Sequence, residues 1–264
     1  HTEQNQGRYL KHKMRSALWA LKRNTLSRAL RNVHHHYDLG NDFYRLWLDP
    51  HMVYTCAYYE NADATLEQAQ QAKLDHVCRK LKLRPGLEVV EAGCGWGSLA
   101  MHMVEHYGVK VTAFNNSGEQ VKYAQEEAAK RNLDPARLKF VQDDYRNINQ
   151  RCDVFVSVGM LEHVGRQNYQ ALGKLIRRSL NPDGIALIHS IGRSRPAPVD
   201  SWIARYIFPG GHIPSLGEMA ALFEPCEFSI LDVENLRLHY ARTCRAWLAN
   251  FDRVKAEVSA MYGE

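Results

Sequence analysis

Residues 87–100 read LEVVEAGCGWGSLA, and the fold can be worked out from this stretch. An apolar run ends in Glu91 and is followed by three glycines at alternate positions, Gly93, Gly95 and Gly97. After these glycines the apolar spacing of a helix resumes. Glycine is favoured where a backbone turns sharply or lies close to a ligand. The stretch therefore predicts a strand, a tight turn and a helix N-terminus whose backbone amides face a ligand.

Apolar strands and amphipathic helices alternate on both sides of this turn. The predicted strands are 87–92, 109–114, 138–141, 154–158 and 185–191, and the predicted helices are 98–107, 119–131, 169–180 and 215–223. This order predicts an α/β fold with a parallel sheet, right-handed crossovers and helices on both faces. Ligands of such sheets bind at the carboxyl ends of the strands. Residues 193–217, which contain four prolines and two adjacent glycines, are predicted to form an insertion over that edge.

The composition indicates one soluble globular domain. The chain has 264 residues, of which 45% are hydrophobic and 24% are charged. No apolar stretch approaches the roughly 18 residues of a membrane span. The six cysteines show no CxxC spacing, which favours free thiols and a cytoplasmic location.

The first 31 residues carry most of the positive charge. The segment 1–31 has a formal charge of +7, and the rest of the chain has −2. Apolar residues recur in it at helical spacing: Leu10, Met14, Ala17, Leu18 and Leu21. A basic amphipathic helix predicts peripheral contact with an anionic membrane surface. A helix packed on the domain with its charges in water is an equal alternative. Nucleic acid is not expected, because no recognition motif accompanies the charge.

The glycine-rich turn alone leaves several interpretations open. A dinucleotide-binding loop would read GxGxxG with an acid after the second strand. Here the spacing is GxGxG, and the second predicted strand ends in FNNS at 114–117 without an acid. A purely structural turn is a further alternative. The pattern ExGxGxG more closely resembles the nucleoside-binding loop of class I S-adenosylmethionine-dependent methyltransferases.

The flanking motifs make this resemblance more specific. They are HYDLGNDFYRLWLD (36–49), YTCAYYE (54–60), LEQAQQAKL (66–74), EAGCGWG (91–97), VGMLEHVG (158–165), IHSIG (188–192), YIFPGGHIPS (206–215) and YARTCRAW (240–247). In this order and spacing, from about residue 32 to residue 248, they resemble the cyclopropane-fatty-acid synthase and mycolic-acid methyltransferase family. The resemblance implies a doubly wound, mostly parallel Rossmann-like sheet of the seven-stranded type. Residues 32–264 would form the catalytic domain.

Three departures from the family pattern stand out. The separate N-terminal domain of the bacterial cyclopropane synthases has no counterpart here. The C-terminal segment that helps enclose the lipid chain is expected to be cut short at Glu264. The second strand ends in Asn115-Asn116, where a threonine and an apolar residue are usual, so ribose contacts there are less secure.

The resemblance assigns an S-adenosylmethionine site position by position. Tyr54 and Thr55 would contact the methionine portion, and the two glycines of the turn would line the pocket. The full set of implied cofactor residues is Tyr54, Thr55, Gly93, Gly95, Asn115, Gln120 and Asp144. Asn115 and Gln120 would face the ribose, and Asp144 would face the adenine in preference to Asp143.

The resemblance also implies a second cofactor, a bicarbonate ion. An alkene is a poor nucleophile, so the sulfonium methyl must be held close to it and away from water. Closing a cyclopropane then requires a base, and in the family this is bound bicarbonate. Its holders would be Cys56, Glu162, His189 and Tyr240, with backbone groups near Val158 and Ile191. Burial is expected to raise the pKa of Glu162, and His189 is expected to be protonated or to donate a hydrogen bond.

Aromatic faces could stabilise the carbocation formed on the acyl chain. The candidates are Tyr54, Tyr58, Tyr206, Phe208 and Tyr240, with core packing as the alternative for each. No metal site is expected at His34-His35-His36, because adjacent side chains point in different directions.

The function expected from the resemblance is a cyclopropane-fatty-acyl-phospholipid synthase acting on unsaturated phospholipid acyl chains. One alternative is a lipid methyltransferase that gives a methyl branch or an exomethylene group, and a small-amine methyltransferase is less favoured. A lipid-binding protein that has kept the fold without activity is another alternative. A homodimer stays open, as do the acyl chain length and the double-bond position.

Overall fold

The computed structural model describes residues 40–200, 202–203 and 211–263. Its five strands are β1 Glu88–Ala92, β2 Lys110–Asn115, β3 Leu138–Gln142, β4 Cys152–Val158 and β5 Leu180–His189. Its α-helices are α1 Gly40–Arg45, α2 Leu66–Lys80, α3 Ser98–Tyr107, α4 Gly118–Lys130, α5 Leu161–Val164, α6 Tyr169–Ser179, α7 Leu216–Phe223 and α8 Arg237–Tyr262.

The strands form one sheet in the order β3-β2-β1-β4-β5, and every neighbouring pair is parallel. The chain runs outward from β1 through β2 to β3, then crosses back to place β4 on the other side of β1. The strand order therefore reverses between β1 and β4. In an open parallel sheet a ligand crevice forms at the carboxyl ends of the strands at this switch point.

Helices cover both faces of the sheet because the strands are apolar on both sides. In β1, Val89 packs in a cluster with residues of α2, α3 and α4, whereas Val90 and Ala92 pack in a cluster with residues of α6 and α7. In β4, Val154 belongs to the first of these clusters and Phe155 belongs to the second. Strands buried on both faces are typical of parallel α/β sheets.

The five predicted strands and the four predicted helices are confirmed, with shifts of up to two residues at most ends. The largest shift is in β5, which begins at Leu180 because its first residues continue along β4 past a register shift near Cys152. The described residues form five strands rather than the seven expected from the resemblance. The basic segment 1–31 and the three histidines at 34–36 lie outside the described residues.

Four helices were not predicted from periodicity: α1, α2, α5 and α8. Helix α2 begins at a capping box, in which Thr65 accepts from the backbone of Gln68 and the Gln68 side chain accepts from the backbone of Thr65. Helix α8 has 26 residues, of which only Thr243 and Trp247 are buried. No helix of the described residues is both long and apolar enough to cross a membrane.

The predicted insertion at 193–217 has both ends at the carboxyl edge of the sheet. Arg193 N donates to Pro214 O at 3.0 Å, so the outgoing and returning arms are joined. On the returning arm, His212 N donates to Glu162 O at 2.8 Å. Residues 201 and 204–210 of the insertion lie outside the described residues.

Candidate functional site

A cleft with an empty volume of about 1210 Å³, including space open to solvent, lies at the carboxyl ends of β1, β2 and β4. All seven residues predicted to bind the cofactor line it: Tyr54, Thr55, Gly93, Gly95, Asn115, Gln120 and Asp144. The fold thus brings these residues together from four separate segments of the chain. Their individual roles stay predictions.

The glycine-rich turn provides space in the cleft. Gly95 has a φ of 54°, and a Cβ added to it would meet nothing within 4 Å. Gly97 has a φ of 85°, and its Cβ would lie 2.7 Å from the Phe140 ring. The amides of Gly93 and Gly97 donate to Phe114 O and Cys94 O, at 2.8 and 2.9 Å. These two amides are therefore engaged within the turn, and the expectation that amides at the N-terminus of α3 face a ligand stays a prediction.

A buried amide group faces the cleft from α4. Asn115 Nδ2 donates to Gln120 Oε1 at 2.8 Å and to Gly95 O at 3.0 Å, and Asn115 Oδ1 accepts from Ser117 N. These bonds leave Gln120 Nε2 without a partner among the described residues, although Gln120 is only 2% exposed. A buried donor without an acceptor is costly, so the site suits a ligand that brings one. A ribose hydroxyl oxygen is such an acceptor.

Asp144 lies in the cleft with both carboxylate oxygens engaged. Its Oδ1 accepts from Arg146 N at 2.9 Å, and its Oδ2 accepts from Asn116 Nδ2 and Arg146 Nη1, each at 3.3 Å. Asp143 Oδ1 accepts from Asp144 N at 2.7 Å and thereby shapes the same loop. The adenine contact of Asp144 stays a prediction.

Glu162 lies buried on α5, next to the cleft. Its Oε1 accepts from Ile191 N at 2.6 Å, which ties the turn after β4 to the chain after β5. Its Oε2 has no hydrogen-bond partner in the described part of the chain. Burial raises the pKa of Glu162, as expected, although the bond from Ile191 and the nearby Ser190 hydroxyl group oppose the shift. The β4 and β5 ends also meet directly, since Val158 pairs with His189 and Gly159 N donates to His189 O.

Cys56 and Tyr240 are both hydrogen-bonded to Leu236 O, at the start of α8, and neither is among the residues that line the cleft. Cys56 Sγ lies 3.8 Å from Leu236 O, and Tyr240 follows Leu236 by one helical turn. Burial raises the pKa of Cys56 to about 12, so its side chain is a neutral thiol that donates. Burial also raises the pKa of Tyr240, with smaller contributions from the nearby Cys244 and Glu162 side chains. Tyr240 is therefore close enough to Glu162 to be influenced by its charge.

The pKa of His189 bears on the two forms predicted for its ring, which were a protonated ring and a hydrogen-bond donor. Burial lowers the pKa of His189 to about 4, and the Lys73 ammonium group adds to the shift. Without a bound anion the imidazole is therefore expected to be neutral near neutral pH, and the protonated form beside an anion stays a prediction. A neutral ring still donates from one nitrogen, so the hydrogen-bonding alternative is retained.

The aromatic candidates separate into two groups. Tyr54 lines the cleft and packs on Trp247, with ring centroids 5.1 Å apart, and Tyr240 packs on the same Trp247 at 6.0 Å. Tyr58 is stacked between His76 and His239 at 4.1 and 4.7 Å, so both of its faces are covered. Tyr206 and Phe208 lie outside the described residues.

Two buried charged residues of the cleft were missed from sequence. Lys73 is 3% exposed and Glu91 is 2% exposed, and both line the cleft. Burial raises the pKa of Glu91 to about 8, against the effect of Lys73, and lowers the pKa of Lys73 to about 8. Glu91 Oε2 has no partner within the described residues. The available signal was polar Gln70 and Lys73 on the otherwise apolar face of α2.

The chain matches the sequence model of the family described as "Mycolic acid cyclopropane synthetase" over residues 24–264. Cyclopropane-fatty-acyl-phospholipid synthase of Escherichia coli is 44% identical over 230 residues, which cover 87% of this chain and 58% of the relative. Cyclopropane mycolic acid synthase 1 of Mycobacterium tuberculosis is 36% identical over 248 residues, covering 88% and 86%. The chain thus spans 58% of the length of the Escherichia coli relative.

Solved structures agree with this assignment. The mycolic acid cyclopropane synthase CmaA1, complexed with SAH and CTAB, superimposes with a TM-score of 0.83 at 34% identity, covering 89% of this chain and 87% of that one. The cyclopropane synthase MmaA2 from Mycobacterium tuberculosis has a TM-score of 0.83 at 32% identity, with the same coverage. Together, the family match, the relatives and the fold show that this chain belongs to the mycolic acid cyclopropane synthetase family.

Proposed function

We propose that this protein is a cyclopropane-fatty-acyl-phospholipid synthase. It would transfer the methyl group of S-adenosylmethionine to the double bond of an unsaturated acyl chain in membrane phospholipid and close a cyclopropane ring with bound bicarbonate as the base. The observation that carries the proposal is Glu162, a buried carboxyl group beside the cleft with one oxygen held by Ile191 N and the other free of partners among the described residues.

The cleft fits the proposed cofactor on three observations. Gln120 presents a buried amide donor that needs an acceptor, and Gly95 leaves open space at the turn. Glu91 presents a buried oxygen without a partner among the described residues, which suits the ammonium group of an amino acid. When bound, S-adenosylmethionine supplies an electrophilic methyl group. The protein's part is to hold the nucleoside and exclude water from the methyl group.

The second part of the site fits a small hydrogen-bonding anion. When bound, bicarbonate supplies the base that removes the methyl proton. The neutral His189 and the thiol of Cys56 can each donate a hydrogen bond, as can the phenol of Tyr240. Glu162 is the group that can accept a proton, and its raised pKa favours this role. The protein thus offers three donors and one acceptor.

Two alternatives differ in the last step or in the substrate. In one alternative, a hydride shift precedes loss of the proton from the transferred methyl group and gives an exomethylene chain, which a separate reductant would convert into a methyl branch. Glu162 can take part in proton loss in either case, so the ring protons of the product distinguish the cyclopropane from this alternative. A small-amine substrate is disfavoured because the relatives of higher identity are named for fatty-acyl or mycolic acid substrates.

The first test is the product. Mass spectrometry of lipids from cells that make the protein should show unsaturated acyl chains gaining the mass of one methylene, and nuclear magnetic resonance should show ring protons. A methyl-branched product would replace the proposal with the first alternative. No lipid change together with methylated amines would support the second.

The second test is Glu162→Gln. This change keeps the side-chain volume but removes the proton acceptor, so turnover should fall by about 10²–10⁴-fold. Calorimetric affinity for S-adenosylhomocysteine should stay nearly unchanged, because the cofactor residues are untouched. Cys56→Ala is the matched control, since it removes a donor rather than the acceptor. Added bicarbonate should partly restore Cys56→Ala and should not restore Glu162→Gln. Wild-type turnover by Glu162→Gln would contradict the assigned base site.

A further inference from the structure

Lys73 is a buried cation for which the mechanism above has no role. Lysine is rarely buried unless it is paired, because removing its charge from water is costly. Lys73 is 3% exposed on α2 and lines the cleft. None of the ion pairs formed between described residues involves it. Within the described residues its charge is therefore balanced only at longer range, by the buried carboxyl groups of Asp49 and Glu91.

The hydrogen bond that Lys73 makes determines the direction of a neighbouring hydroxyl group. Lys73 Nζ donates to Thr55 Oγ1 at 3.0 Å. An ammonium group has three donors and no acceptor, so Thr55 Oγ1 must accept here. The hydroxyl hydrogen of Thr55 is then left for another acceptor. Since Thr55 also lines the cleft, this acceptor can come from a bound ligand.

The backbone around Thr55 is held by the same helix. Gln70 Nε2 donates to Thr55 O at 2.9 Å and to Val53 O at 3.2 Å. Gln70 and Lys73 lie one turn apart on the buried face of α2. Together they fix both the backbone and the hydroxyl of Thr55. Packing alone does not account for this arrangement, because burying two polar side chains on an otherwise apolar helix face costs free energy.

We propose that Lys73 is a positioning residue that orients Thr55 as a donor and, with it, binds the carboxylate group of the amino-acid end of the cofactor. This inference rests on the proposed function, because it needs S-adenosylmethionine in the cleft. A carboxylate provides both the acceptor for the Thr55 hydroxyl and the counter-charge for Lys73. Glu91, which lines the same cleft, can accept a hydrogen bond from the ammonium group of the amino acid through Oε2, which has no partner among the described residues.

The test compares two ligands that differ only in the amino-acid end. S-adenosylhomocysteine carries the carboxylate, whereas 5′-methylthioadenosine carries the nucleoside and the thioether without it. In bicarbonate-free buffer, Lys73→Met should weaken the affinity for S-adenosylhomocysteine on the order of 10- to 100-fold by calorimetry. The affinity for 5′-methylthioadenosine should stay within about twofold of wild type. Lys174→Met is the matched control, an exposed lysine on α6, and should change neither affinity.

Threonine variants test the link between the two side chains. Thr55→Val should weaken S-adenosylhomocysteine binding selectively, and Thr55→Ser should restore it. Because Lys73 acts partly through Thr55, the double variant Lys73→Met/Thr55→Val should lose less affinity than the two single losses combined. Additive losses would overturn the coupling. Lys73→Arg, which keeps the charge and the donors, should recover part of the affinity if it retains wild-type thermal stability.

Three other outcomes have distinct meanings. If Lys73→Met lowered the affinity for both ligands equally, Lys73 would have a structural role, and the inference would be overturned. If S-adenosylhomocysteine binding stayed unchanged and turnover required more bicarbonate, the charge of Lys73 would act on the bicarbonate ion instead. This outcome would also overturn the inference. If the wild-type protein bound neither ligand, the proposed function itself would fail, and this is distinguishable from a failure of Lys73 alone.

Discussion

At the residue scale, the glycines after β1 have different reasons to be glycine. Gly97 cannot accept a side chain, because its Cβ would lie 2.7 Å from Phe140 and 2.9 Å from Ala124. Gly95 has a left-handed backbone but faces open space in the cleft. The sequence pattern did not separate these two cases, because the neighbours of a glycine depend on tertiary packing.

We therefore expect Gly97→Ala to destabilise the protein by about 3 kcal/mol, because it combines a steric clash with an unfavourable φ. Gly95→Ala should cost only about 1 kcal/mol, the penalty of the left-handed backbone. It should nevertheless weaken S-adenosylhomocysteine binding, because the new methyl group enters the cleft. Urea unfolding and calorimetry measure the two effects. Equal loss of stability in both variants would contradict the structure of the turn.

His189 gives the site a pH dependence with a defined sign. Its pKa is lowered by burial to about 4, whereas an unfolded histidine titrates near 6.5. Between these values the unfolded state binds more protons, so stability is lost as pH falls from about 6.5 towards 4. His189→Asn should remove this contribution. At about pH 5 the wild type should have lost about 1–2 kcal/mol more than the variant, relative to about pH 7.

Urea unfolding at the two pH values measures this difference. His106→Asn is the control, since His106 is exposed on α3. Parallel pH curves for the wild type and His189→Asn would show that His189 does not titrate as a buried neutral group.

At the element scale, strands were easier to predict than helices. Strands β1, β2 and β4 are mostly buried apolar runs and β3 alternates buried and exposed residues, and both patterns are decided locally. Helix α8 was not predicted because most of its 26 residues are exposed, although Tyr240, Trp247, Phe251 and Val254 recur on one face and pack in one cluster. Helix α2 had a sequence signature in Thr65 and Gln68 that was not used. The seven predicted cofactor residues could be assigned to one site from sequence because parallel strands end at the same edge of the sheet. Lys73 and Glu91 were missed because the burial of a charged side chain cannot be read from the sequence.

Helices α2 and α7 both begin at a capping box, but their capping residues differ in exposure to solvent. Thr65 caps α2 at an exposed position, and Ser215 caps α7 at a position that is 5% exposed. Thr65→Ala should cost about 1 kcal/mol and Ser215→Ala about 2 kcal/mol, because water can replace the lost bond only at the exposed cap. Urea unfolding measures both, with Thr65→Ser as the control. A larger cost at Thr65 would argue against the burial of the α7 cap.

At the scale of the whole molecule, charge is distributed unevenly. Segment 1–31 carries +7 and the rest of the chain −2, although this segment lies outside the described residues. The proposed phospholipid substrate requires the protein to reach a membrane surface. Each basic residue near an anionic bilayer contributes about 1 kcal/mol at low salt. We therefore propose that segment 1–31 binds the membrane peripherally.

Co-sedimentation with liposomes containing anionic phospholipid tests this proposal. Binding should weaken with added salt and on removal of residues 1–31, and it should be weak on neutral liposomes under the same conditions. Binding that is unaffected by all three changes would assign membrane contact to another surface. Sedimentation without lipid tests in parallel whether the protein forms a homodimer.

The turn from Val158 to Val164 has a consequence for how this protein can diversify. Met160 and His163 line the cleft, while Glu162 between them belongs to the proposed base site. Met160 also packs so closely on the β1 turn that Gly93 has no room for a side chain. An insertion here would disturb methyl donor and base together. New substrate preferences are therefore expected to arise through changes elsewhere, such as the parts of the insertion at 193–217 and of α8 that lie away from His212 and Tyr240. Residues 158–164 would therefore change little between related proteins, whereas other residues around the cleft could vary.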